Sequence, residues 1–64
     1  MRQTYLIVDK QGDILAGKAW LLANVPDVII DTADDVLGVG IYVLQIERRD
    51  LGSVREKFEM LLET

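Results

Sequence analysis

Nine consecutive residues, Val39-Gly40-Ile41-Tyr42-Val43-Leu44-Gln45-Ile46-Glu47, constrain the fold of this chain more than any other segment. They are mostly β-branched or aromatic and read as a strand. Side chains of a strand alternate between the two faces of its sheet. One face of this strand shows Val39, Ile41 and Val43; the other shows Gly40, Tyr42, Leu44 and Ile46. Both are apolar, whereas an antiparallel sheet with one wet face alternates apolar with polar. Each face of the segment therefore requires cover.

The other elements follow from shorter patterns. Residues 3–9 (Gln-Thr-Tyr-Leu-Ile-Val-Asp) make a second strand, with Tyr5 and Ile7 on one side and Leu6 and Val8 on the other. Gly12 suits a tight turn, and residues 14–22 are expected to run back as the second arm of a hairpin. The alternative for 14–24 is a helix capped by Asp13, favoured by its alanines and leucines and opposed by Gly17. The segment from Val8 to Leu15 looks like hairpins found in many sensory and scaffold domains and identifies no family. Asn24-Val25-Pro26-Asp27 is a turn. Residues 28–32 read as a short third strand, Ala33-Asp34-Asp35 as a loop, and Val36-Leu37-Gly38 as the lead into the long strand.

A closing helix is expected over 53–63. Ser53 and Glu56 have capping-box spacing. Leu51, Val54, Phe58, Leu61 and Leu62 recur every three or four residues as one apolar stripe. The fold expected is one small α+β domain over residues 1–64: a three- to four-stranded, mainly antiparallel sheet with a C-terminal amphipathic helix packed on one face.

That architecture leaves one sheet face without cover from the single secure helix. A second helix, curling of the sheet, or another protein chain has to supply it. With 64 residues the chain exposes much of its surface even when folded, and oligomerisation is a usual remedy at this size. A protein partner of unstated identity, with a two-fold homodimer as the commonest form, is the expectation.

Chemistry is largely excluded. The chain has no Cys and no His, so it lacks the usual nucleophile, general base and soft metal ligands. No catalytic residue, cofactor or metal site is expected. Asp27, Asp31, Asp34 and Asp35 place four acids close together without a basic residue among them. They read first as solvated turn and strand-end residues, then as an acidic patch for a basic surface, and last as a calcium site, whose alternating Asp-x-Asp-x-Asp-Gly spacing they lack. Imitation of phosphates is a weaker rival. Gly38-Val39-Gly40 lacks the third glycine and the helix that phosphate binding needs. Trp20 reads as core with a share in an interface, and Met60 lies nearly opposite the apolar stripe of the expected last helix. The candidate partner-binding residues are Trp20, Asp27, Asp31, Asp34, Asp35, Val39, Ile41, Val43 and Met60.

A net charge of −4 disfavours direct contact with nucleic acid or anionic membrane. No signal peptide and no membrane-length apolar run is visible, so a cytoplasmic location is expected. A small acidic regulator, adaptor or inhibitor, of the sort phages and plasmids encode against host proteins, fits this profile. A structural subunit of a homo-oligomer or an acidic nucleic-acid mimic are the alternatives.

Overall fold

The computed structural model describes the backbone of residues 2–63 and the side chains of residues 2–59. Along the chain run β1 (Arg2–Asp9), α1 (Ile14–Asn24), β2 (Ile29–Val36), β3 (Val39–Glu47), a 3-10 turn (Arg48–Asp50), α2 (Leu51–Lys57) and β4 (Met60–Glu63). The strands form one four-stranded sheet in the order β2-β3-β1-β4. Every neighbouring pair is antiparallel. The α+β class and the antiparallel sheet agree with the sequence reading, and β3 has the bounds expected of it.

Residues 14–24 form a helix rather than the return arm of a hairpin. Asp13 caps it: its Oδ1 accepts from the Ala16 N–H at 3.0 Å, and its carbonyl accepts from the Gly17 N–H at 2.9 Å. Satisfying the free donors of the first turn is what lets a helix start here. Gly17, which opposed the helix on propensity, is buried against Tyr42; a Cβ on it would stand 2.0 Å from the Tyr42 hydroxyl oxygen. Val25 closes the helix, donating to the Leu21 carbonyl at 2.9 Å. Pro26 cannot continue it. The chain then turns through Asp27, whose φ is 58°, as the sequence led one to expect.

Strand β2 is longer than its β-branched core, and Ala33, Asp34 and Asp35 belong to it rather than to a loop. It is an edge strand, where charge is tolerated because one flank meets water. A bulge between Ile30 and Thr32 shifts its register against β3. Leu37 and Gly38, with φ of 53° and 79°, form the two-residue hairpin loop into β3; two positive φ values are the mark of a type I′ turn.

The closing helix is shorter than expected. It begins at Leu51 and ends at Lys57, with Phe58 extended at φ −114°, ψ 144°. Ser53 sits inside it, Asp50 holds the N-cap without a side-chain cap bond, and the Ser53–Glu56 capping box does not form. Leu61 and Leu62 leave the helical stripe for β4, where they pair with Ile7 and Leu6. The free backbone edge of β1 offers residues 60–63 ladder hydrogen bonds in place of another helical turn.

Both helices lie on one side of the sheet. The core there joins Tyr5 and Ile7 of β1 to Tyr42, Leu44 and Ile46 of β3, with Leu21 and Val25 from the α1 end and Val54 and Phe58 from the α2 end. Trp20, half-buried, meets Phe58 edge-on at 5.9 Å between ring centres, and Tyr42 meets the same ring at 5.4 Å. Trp20 therefore serves the core from a helix, not from a strand face.

Candidate protein interface

Burial along β3 alternates without exception, with Gly40, Tyr42, Leu44 and Ile46 buried and Val39, Ile41, Val43, Gln45 and Glu47 half-buried. The half-buried set faces away from both helices. Across the ladder, Leu6 pairs with Val43 and Val8 with Ile41. On the other flank Thr32 pairs with Val43, Asp34 with Ile41, Val36 with Val39 and Ile29 with Gln45. Strand register then places Leu6, Val8, Val39, Ile41, Val43, Ile29 and Val36 on one side of the sheet. The backbone of β4 lies alongside, with Leu62 beside Leu6 and Met60 beside Val8.

Polar groups ring this apolar centre. Arg2 pairs with Glu47 at one end, and its Nη1 donates to the Asp27 carbonyl and to the Gln45 carbonyl at 3.5 Å. The Gln45 amide donates to both carboxylate oxygens of Asp31, at 3.2 and 3.1 Å. Thr4 and Thr32 complete the border. An apolar centre with a polar rim is the anatomy of protein interfaces. A contiguous apolar sheet surface open to water is uncommon on a chain that works alone.

The candidate residues from the sequence divide accordingly. Val39, Ile41 and Val43 lie together at the centre of the open face, and Asp34 borders it. Asp31 holds Gln45 at the rim. Asp35 turns its carboxylate to the hairpin, accepting from the Gly38 N–H at 3.0 Å. Asp27 sits in the α1–β2 turn. The four acids are thus spread along β2 and its approach rather than gathered, and two of them have local hydrogen-bonding roles. Trp20 lies on the opposite side of the sheet, and the Met60 side chain lies outside the described residues. Leu6, Val8, Ile29 and Val36 were absent from the candidate set; the alternation in residues 3–9 was the signal for the first two, while the β2 pair needed the register.

Two further apolar features stand outside this face. Helix α1 is apolar nearly all round, leaving Leu15 and Leu22 exposed at 81% and 66%. Leu37 at the hairpin tip is 99% exposed. Between α1 and α2 a groove of about 400 Å³ is lined by Trp20, Asn24, Ser53, Glu56 and Lys57. Its Ser53, Glu56 and Lys57 are exposed to water, unlike the desolvated groups of a catalytic site.

Tyr42 carries a buried hydroxyl without a hydrogen-bond partner among the described residues. Burial pushes its pKa up, and the carboxylates of Asp9 and Asp13 push it further the same way. It stays neutral and acts as packing. Among the described residues no helix is long and apolar enough to cross a membrane. Comparison with protein-family models, curated proteins and solved structures finds no match.

Proposed function

We propose that this chain is a non-catalytic protein-interaction module, a small acidic adaptor, regulator or inhibitor of the cytoplasm, that works through the open face of its sheet. The observation that carries this reading is the placement of both helices on the Tyr5–Tyr42 side. Leu6, Val8, Val39, Ile41 and Val43 are left with neither a helix over them nor a polar alternation along β3. The composition supports the same reading: a chain without Cys or His has little means for catalysis, and with no disulfide to form it has no need of an oxidising compartment.

Affinity capture with the wild-type protein and with Val43→Lys tests it, followed by rebinding from purified components. A partner held by the wild type, lost by Val43→Lys and rebound in purified form is the expected result. A partner held equally well by a folded Val43→Lys variant overturns the assignment to this face. Thr32→Lys, at the exposed border, gives the same comparison should Val43→Lys fail to fold.

A further inference from the structure

We infer that the occupant of the open sheet face is a second copy of this chain, packed face to face about a two-fold axis to give a helix–sheet–sheet–helix sandwich. The inference rests on the open face being an interface and adds what covers it.

Area is the first argument. Strands of 8, 9, 8 and 4 residues, at about 16 Å² of projected sheet per residue, present roughly 450 Å² of face. Two such faces together project roughly 900 Å², and side-chain relief raises the accessible area beyond the projection, to the region of about 1,000 Å² where specific interfaces begin. A face this size is covered by its own equal. The centre is also suited to sheet-on-sheet packing, because Val, Ile and Leu side chains standing up from two twisted sheets interdigitate in a layer about 10 Å thick.

Charge is the second argument. The charged groups belonging to this face are Arg2, Glu47, Asp34 and, through its bonds to Gln45, Asp31. All lie at its border, and Arg2 is directly across the ladder from Glu47. The apolar centre carries no charge that an identical centre would repel. The acids outnumber Arg2 only at the border, which stays in contact with water where repulsion is screened, so an identical face is opposed at its rim and not at its centre.

One edge-to-edge route to a β-sheet dimer, through β2, is opposed by the same sequence, and the other edge, β4, offers only four residues of backbone. Strand β2 bears Asp31 at its bulge and Asp34 and Asp35 beyond it. Two copies paired along it would bring six carboxylates together, and bulges and charges are what proteins use to discourage edge pairing.

Sedimentation of the full chain from low to high micromolar concentration tests the proposal, together with single-cysteine cross-linking, which the Cys-free sequence permits. The expected result is a species of twice the 7.2 kDa chain mass. Burying an unpaired lysine in Val43→Lys is expected to weaken dimerisation by about 100-fold or more. Oxidation should link the protein through at least one of Leu6→Cys, Ile41→Cys and Val43→Cys and not through Leu15→Cys on the outside of α1. The cysteine set keeps the test decisive if Val43→Lys fails to fold. A dimer unaffected by Val43→Lys, or one cross-linked only through Leu15→Cys, overturns the proposal. A monomer at high micromolar concentration also overturns it, while leaving the face open to a different protein, which the capture comparison above decides separately.

Discussion

Gly17 and Tyr42 are in direct contact across the helix–sheet interface, the tyrosine hydroxyl lying where a side chain at position 17 would begin. This contact holds α1 close to the middle of β3 and explains a glycine in the interior of an 11-residue helix. On a free helix Gly17→Ala gains about 1 kcal/mol. Here the added carbon overlaps an atom of a buried ring, and the variant is expected to lose about 2 kcal/mol net. The double variant Gly17→Ala/Tyr42→Phe should recover part of the loss, because the hydroxyl is the nearest obstacle. Urea denaturation of the four members of the cycle measures both values; an Ala variant as stable as the wild type would show that the helix stands off the sheet.

Alkali should act through the same tyrosine. Its pKa is raised in the folded protein by burial and by the Asp9 and Asp13 carboxylates. Above the ordinary tyrosine pKa of about 10 the unfolded chain therefore gives up its proton while the folded chain retains it. Stability is then level below that value and falls as the pH rises through the raised folded-state pKa. Denaturation midpoints taken from pH 7 upward should show the fall in the wild type and a flatter limb in Tyr42→Phe. An identical alkaline limb in the two proteins would assign the loss to other groups.

The cap of α1 is the next point of sensitivity. Asp13→Ala removes the bond to the Ala16 N–H and is expected to lower stability by about 1 kcal/mol, whereas Asp13→Asn should retain most of it. Thermal melts followed by helical circular dichroism separate the two. An alanine variant with an unchanged melting temperature would mean the backbone alone nucleates this helix.

Leu37 is expected to behave in the opposite sense. It has a φ of 53°, in a region where a leucine side chain is strained, and its exposed side chain supports nothing in the fold. Leu37→Asn builds the Asn-Gly pair that type I′ turns prefer, and stability should rise by about 1 kcal/mol. Equilibrium unfolding checks the sign; a destabilised variant would place Leu37 in contacts that its exposure does not show.

The distribution of right and wrong expectations has a physical pattern. Strand β3 is legible to the residue because a run dominated by Val, Ile, Tyr and Leu needs no partner to be recognised. The α1 segment was misread as a strand because Gly17 was judged on propensity alone, and its reason for being there is a tyrosine 25 positions away in sequence. The C-terminal stripe of Leu51, Val54, Phe58, Leu61 and Leu62 satisfied helical periodicity throughout. The second half became a strand because β1 had a vacant edge, which no local pattern reports. Asp34 and Asp35 were read as a loop for a similar reason: an edge strand tolerates charges that a central one would exclude.

Read alone, the sequence determined the α+β class, the antiparallel character of the sheet, the lack of His and Cys chemistry, and the two-sided apolar nature of β3, because these depend on residue type and alternation. Tertiary structure alone decided that both helices share one side of the sheet, that β1 lies between β3 and β4, and hence that Leu6, Val8, Val39, Ile41 and Val43 gather on the side left open. Side-chain alternation states that a strand has two apolar faces. Which of them is covered depends on where distant segments pack, and that is settled by contacts such as Gly17 on Tyr42 rather than by any periodicity within the chain.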